Sequence, residues 1–301
     1  MRRIDMKAVS FHSHKGGAGK TTLMACLARK LQVDGKKVCM VDLDFIGSGL
    51  ERLLFISGKR ISTINEFFLE GERWSPKDIR RKLIRKPSFG PEKADAQNVG
   101  LIINQGNLED EGNLRRKLLD LSAASVMSPW LLGRLESLLK ALSGIYDYVL
   151  FDCHPGIFGI SEIVLFWEAI QTRVFVSRPD VTHISGTIVE LARLAREKKK
   201  IGAKPGAWFL VTNCAPPKIM RDFDDLQYRL KIDGRVNAET SPLFGMPPFR
   251  NKSNEQVGEL YGVFDHQENI AELSLPGTVN VKPWPKIFSG DALSKFIKII
   301  G

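Results

Sequence analysis

Long apolar runs are missing from this 301-residue chain. No uninterrupted stretch approaches the roughly 20 residues that cross a bilayer as a helix, which excludes a helical membrane protein. The N-terminus, Met1-Arg2-Arg3-Ile4-Asp5, lacks the apolar centre of a secretory signal, so the chain reads as cytoplasmic. Cysteine is scarce: Cys26, Cys39, Cys153 and Cys214 are scattered and form no C-x-x-C pair. That spacing argues against a disulfide framework, a metal site or an iron–sulfur carrier, and leaves buried free thiols. Acidic residues number 34 against 44 Lys and Arg, a net charge of +10. This excess favours a polyanionic partner such as DNA, RNA or an anionic membrane surface. Internal repeats and low-complexity linkers are also lacking, and the hydrophobic content is sufficient for a packed core.

What the chain does contain is the segment Ser13-His14-Lys15-Gly16-Gly17-Ala18-Gly19-Lys20-Thr21-Thr22. An apolar run, Ala8-Val9-Ser10-Phe11, precedes it, and a helical pattern, Leu23-Met24-Ala25-Cys26-Leu27-Ala28, follows. Strand, glycine-rich loop and helix together make the setting of a phosphate-binding loop. Glycines let successive N–H groups of Gly16 to Thr22 point at one anion, and the helix start adds its positive dipole end. Lys20 is placed to reach the β- and γ-phosphates of a nucleotide, and the Thr21 hydroxyl to ligate Mg²⁺. The pattern G-x-x-x-x-G-K-[ST] would put a glycine where His14 stands, and a second lysine, Lys15, opens the loop instead.

Further along, apolar strands alternate with helical patterns: Lys37 to Val41, Val99 to Ile103, Tyr146 to Phe151, Arg173 to Ser177 and Ala207 to Thr212 as strands. Ile64 to Leu69, a basic stretch around Ile79 to Lys86, Leu114 to Leu121, Trp130 to Leu142, Ile160 to Ile170 and Ile184 to Lys198 read as helices. The alternation implies an α/β fold, a mostly parallel β-sheet with helices on both faces. Ligands bind beyond the carboxyl ends of such strands. Lys15, the acids Asp42 and Asp44, Asp152 and Asn213 all fall at these ends. The 301 residues are expected to form one domain with an embellished C-terminal third, about 215–301. A last strand is expected at Thr278 to Val281 and a last helix at Asp291 to Ile300.

The loop resembles the deviant Walker A motif, K-G-G-x-G-K-[ST]-[ST], of the ParA/MinD family of P-loop ATPases. Asp152-Cys153-His154-Pro155-Gly156 is similar to the family's D-x-x-P-G switch after the Walker B strand, and Asp42-Leu43-Asp44 to its second acidic motif. The resemblance implies ATP and Mg²⁺ as ligands and a homodimer closed around two nucleotides. Lys15 would reach the partner's nucleotide, Thr21, Asp42 and Asp152 would serve the metal, and Asp44 would orient the attacking water. Asn213, by the same resemblance, reads the adenine edge, although Cys214 follows it where the family usually has arginine. Phe45-Ile46-Gly47-Ser48-Gly49-Leu50 departs from the D-P-Q continuation of plasmid-partition members and looks closer to the MinD and Mrp side.

The basic runs Arg80, Arg81, Lys82, Arg85, Lys86 and Arg193, Arg196, Lys198, Lys199, Lys200 suit nonspecific DNA contact or are solvated faces. Leu293, Phe296, Ile297 and Ile300 give the final helix one short apolar face, read as core-facing in preference to membrane-binding. An activating protein partner is expected from the family's behaviour as a switch. Two other functions fit the same fold: an ATP-dependent biosynthetic enzyme, and a scaffold that binds nucleotide without turnover.

Overall fold

The computed structural model describes residues 6–45, 49–56, 62–70, 74–88, 98–104, 129–178, 207–215 and 259–265, with residues 180, 182–183, 186–187, 189–190, 193–194 and 297. Seven parallel strands form one sheet: β1 (Lys7–His12), β2 (Val38–Leu43), β5 (Val99–Ile102), β6 (Tyr148–Cys153), β7 (Thr172–Ser177), β8 (Ala207–Ala215) and β9 (Glu259–Asp265). Their spatial order is β5-β2-β6-β1-β7-β8-β9. A short antiparallel pair, β3 (Phe55–Ile56) and β4 (Pro87–Ser88), stands apart.

The inner strands form because their sequences are apolar on both faces. Every residue of β2, Val-Cys-Met-Val-Asp-Leu, is buried, as is every residue of β6 and β7. Alternate side chains feed two cores. Val9, Phe11, Met40, Leu150 and Val174 pack on one side with Leu23, Met24, Leu27 and Leu31 of helix α1 (Lys20–Val33). Ala8, Val41, Val149 and Phe151 pack on the other, against α3 (Ile64–Glu70), α4 (Pro76–Leu83), α5 (Pro129–Leu142) and α6 (Ile160–Phe166). The short α2 (Gly49–Leu53) lies against α1, with Leu50 in the α1-side core.

Local chemistry sets the ends of these elements. Ser75 and Asp78 form a capping box at the start of α4, and Pro76 occupies its first turn. The helix expected to run through Lys86 stops at Leu83. Pro87 disfavours helical backbone at Lys86, and Arg85 instead bridges Leu101 at the β5 edge. The Ile160 to Ile170 helix likewise stops at Phe166. There the fully buried Arg173 of β7 donates to the carbonyls of Leu165, Trp167 and Ile170, the last two at 2.7 and 2.6 Å. The Leu165 carbonyl belongs to the last turn, where a helix leaves acceptors unsatisfied and its dipole favours a cation, and the other two lie just past that end. Burial lowers the Arg173 guanidinium to about 10, still charged at neutral pH.

The irregular stretch expected after Asp44 includes α2 and β3, and the C-terminal segment without a clear reading includes the edge strand β9. The expected helix Leu114 to Leu121 and strand Thr278 to Val281 lie outside the described residues, as does the final helix apart from Ile297, which is helical. No described helix is long and apolar enough to cross a membrane. Cys26, Cys39 and Cys153 are buried free thiols, with Cys26 pushed up to about 12 by burial and the other two higher still, which makes them unreactive.

Candidate functional site

β1 sits where the chain changes direction in the sheet. The connection from β1 goes to one side, to β2, and the later one from β6 goes to the other, to β7. The crevice at its carboxyl end is the expected ligand position. There the chain turns through Ser13 to Gly19 and enters α1 at Lys20. Gly17 and Gly19 have φ of 78° and 79°, a region that side chains occupy at a cost. Ala18 is buried beneath the turn, while Lys15, Gly16 and Gly17 are exposed.

The two loop lysines therefore face different surroundings. Lys20 is 5% exposed and is hydrogen-bonded and ion-paired to Asp152 Oδ1. Burial alone would lower its pKa, but the Asp152 carboxylate more than offsets this and the net shift is upward. The Thr21 hydroxyl donates to Asp152 Oδ2 at 2.7 Å. Asp152 and Asp42 are register partners on the adjacent strands β6 and β2, and both are fully buried. Burial first, and the Asp152 charge second, push the Asp42 carboxyl well above the usual carboxylate range. Asp42 Oδ1 accepts the Asp44 N–H at 3.0 Å, closing a turn, whereas Asp42 Oδ2 is buried with no hydrogen-bond partner.

The loop after β6 packs on the phosphate loop. The Gly156 N–H donates to the Ser13 carbonyl at 2.8 Å. Gly156 has φ of 83°, and a Cβ there would come within 2.7 Å of the Phe158 ring. Within this loop the His154 ring lies between two carbonyls, Nδ1 at 2.9 Å from Pro155 O and Nε2 at 3.0 Å from Phe158 O. From the other side, His183 Nε2 lies 3.4 Å from Gly16 O and the His14 ring packs over Gly186.

The structure thus brings together Gly16 to Thr22, Asp42, Asp44 and Asp152. Asn213 is on β8, two strands from β1, and its side chain lies outside the described residues. Of the basic runs, Arg80, Arg81 and Lys86 are exposed on and after α4, and Lys82 lies over the Trp74 ring. Arg193 is instead tied to Glu162, Glu190 and the Ile157 carbonyl, so it braces the loop after β6. Residues 196–200 lie outside the described ones. The sequence reading missed Asn104 beyond β5, whose amide donates to Asp42 Oδ1 at 3.2 Å and to the Asp44 carbonyl. Its place just past a strand's carboxyl end was the signal available.

Among the described residues, no three His, Cys, Asp or Glu side chains form a metal cage. Mg²⁺ needs none, since it keeps several waters and takes one or two carboxylates beside substrate phosphates. The hard oxygens of Thr21, Asp152 and Asp42, with the orphaned Asp42 Oδ2, fit that requirement.

Comparison with known proteins agrees with this fold. Residues 6–169, more than half of the chain, match the model of a family described as AAA domain. Curated relatives match at 26–29% identity, and the chain spans about half of their length, 41–58%. Solved structures share the fold, among them these three. An ATP complex of a McdA variant from Cyanothece superposes with a TM-score of 0.63 at 17% identity, covering 99% of this chain and 97% of that one. A ParA family ATPase from Chlorobium tepidum gives 0.60 at 16%, covering 96% and 98%. The septum site-determining protein MinD of Pyrococcus horikoshii, complexed with Mg-ADP, gives 0.56 at 19%, covering 98% and 94%.

Proposed function

Because the chain belongs to the ParA/MinD family of P-loop ATPases, we propose that it binds ATP with Mg²⁺, closes into a homodimer around two nucleotides and hydrolyses ATP slowly. The cycle would serve as a switch for positioning, partition or assembly of a partner complex. The observation that carries this reading is the convergence of Lys20, Thr21, Asp42, Asp44 and Asp152 at the carboxyl ends of three adjacent strands, β2, β6 and β1.

The backbone N–H groups of Gly16 to Thr22 cradle the phosphates. Lys20, kept charged by Asp152 in a buried site, turns its ammonium to the β- and γ-phosphates. Thr21, Asp152 and Asp42 would hold Mg²⁺, which when bound neutralises charge on those phosphates. Asp44 orients the attacking water. Pro155-Gly156, linked to the phosphate loop through Ser13, reports the γ-phosphate to α6. A nucleic-acid surface would be met through the exposed α4 cations. On this reading DNA affinity falls steeply with salt and ignores sequence, as an anisotropy titration would register.

Two variants separate binding from turnover. Lys20→Ala should weaken ATP affinity at least about 30-fold, the loss of one charge-assisted contact with two phosphates. Asp44→Ala should hold ATP within a fewfold of wild type and lose about 100-fold in kcat. A folded Lys20→Ala protein with unchanged ATP affinity would remove the reading.

A further inference from the structure

We propose that Asn104 is a positioning residue for Asp44, and that with Asn65 it makes α3 the platform on which the acidic turn is held. The inference rests on the ATPase reading above and deepens it, since Asp44 is given there the task of orienting water.

Asn104 is buried just beyond β5, and its single side-chain amide holds two parts of the turn at once. Nδ2 donates to Asp42 Oδ1 at 3.2 Å and to the main-chain carbonyl of Asp44. A buried amide can offer two N–H groups in one plane, which fixes the distance between the two acceptors. Asn104 is itself held from α3, where the buried Asn65 Nδ2 donates to the Asn104 carbonyl. Asn65 stands in the first turn of α3, and the Ile64 N–H donates to the Ile103 carbonyl at 2.8 Å, so the helix start is stitched to the strand end by backbone as well.

The other side of Asp44 is reached from the same helix. Phe45, the next residue, is buried and meets Phe68 of α3 edge to face, ring centres 5.9 Å apart. Asp44 is therefore bracketed by a polar contact from Asn104, which α3 holds through Asn65, and by an aromatic contact that α3 makes directly with the next residue. Its own side chain stays half-exposed at the crevice end of the strand. Side chains that must place a water within a fraction of an ångström need this kind of support, because small displacements cost rate without costing affinity. Both amide bonds of Asn104 run to the acidic segment at the end of β2, Asp42 and Asp44, whereas the cradle for ATP is built on β1 and α1, so losing them should fall on turnover before affinity.

The test uses the full chain. Asn104→Leu keeps the volume and removes both hydrogen bonds, Asn104→Ser keeps one shorter donor, and Asn65→Leu loosens the support one step back. ATP affinity is read with a fluorescent nucleotide, turnover as kcat, and fold by melting temperature. Asn104→Leu should lose at least about tenfold in kcat with ATP affinity within about threefold of wild type. Asn104→Ser should recover part of the rate, and Asn65→Leu should shift kcat in the same direction by less. In an Asp44→Ala background Asn104→Leu should cost much less than in wild type, since its main effect passes through Asp44 and only the bond to Asp42 remains to be lost. A fully additive loss there, or wild-type kcat in a folded Asn104→Leu protein, overturns the inference. So does a loss of affinity and rate together that tracks melting temperature. A wild-type protein that neither binds nor hydrolyses ATP would instead overturn the ATPase reading, and this one with it.

Discussion

Lys20 and His12 belong to the same strand-and-loop unit and both are buried, yet burial leaves them in opposite charge states. Lys20 has a carboxylate against it and stays charged. His12 has none: its Nε2 meets the Ser10 hydroxyl at 2.8 Å, its ring stacks on Phe175, and its Nδ1 is buried without a hydrogen-bond partner. Burial, and then the charges of Arg173 and Lys20, hold its pKa well below 6.5. In the unfolded chain His12 takes up a proton near pH 6.5, and in the fold it does so only at much lower pH. Between those two values the unfolded state binds more protons, so stability falls as pH is lowered through that window. One proton accounts for up to about 1.4 kcal/mol per pH unit. His154, also shifted down by burial, adds to the slope. Urea unfolding between pH 7 and 5 should show the decline, and His12→Gln should flatten it by about one proton. An unchanged slope would place the acid sensitivity elsewhere.

At the scale of elements, the exposed start of the phosphate loop is shaped by the segment after β7. Burial alone would raise the Asp180 carboxyl, but the Thr182 hydroxyl at 2.7 Å and the His183 N–H at 3.0 Å reverse this and hold it well below its usual range. The same carboxylate fixes the His183 ring, whose other nitrogen faces the Gly16 carbonyl. Three residues on, Gly186 leaves room for the His14 ring, and a Cβ there would overlap it. His14 stands where most such loops carry glycine, so the missing side chain has moved across the contact. Gly186→Ala should displace His14 and weaken ATP affinity about tenfold, and His14→Ala should restore most of the loss, a coupling that nucleotide titration of the four proteins measures. If Gly186→Ala binds ATP as wild type does, the contact does not constrain the loop. This pairing was not legible in the sequence, because nothing in the spacing of His14 and Gly186 says that two segments so far apart meet. The inner strands were legible, since burial on both faces leaves continuous apolar runs such as Val38 to Val41 and Val149 to Phe151. So was the loop itself, whose glycines and lysines sit at fixed spacing. The edge strand Glu259–Asp265 was not, for an edge strand mixes Glu259 and Asp265 with Leu260 and Val263, and Gly262 interrupts it.

Across the whole molecule, the parallel sheet gathers every described member of the site on one rim, and on that rim the two loop lysines diverge. Lys20 points inward to Asp152, and Lys15 is exposed. An exposed ammonium five residues before the buried one cannot readily fold back over phosphates already surrounded by the N–H groups of Gly16 to Thr22. A second copy of the chain, placed face to face across the nucleotide, would meet Lys15 with its own phosphates, and two-fold symmetry would supply the contact twice. Dimerisation would then depend on ATP, because without phosphates the two exposed lysines, in a chain of net charge +10, repel. Lys15→Ala should therefore bind ATP as a monomer with near wild-type affinity, and lose ATP-dependent dimerisation and hydrolysis together. Lys15→Arg should recover part of both, the guanidinium being larger and planar. Sedimentation with a slowly hydrolysed ATP analogue, beside turnover with ATP, decides the matter. If Lys15→Ala dimerises and hydrolyses like wild type, Lys15 is a surface lysine and catalysis is complete within one chain. If it dimerises normally but does not turn over, the lysine neutralises charge during phosphoryl transfer without holding the subunits together.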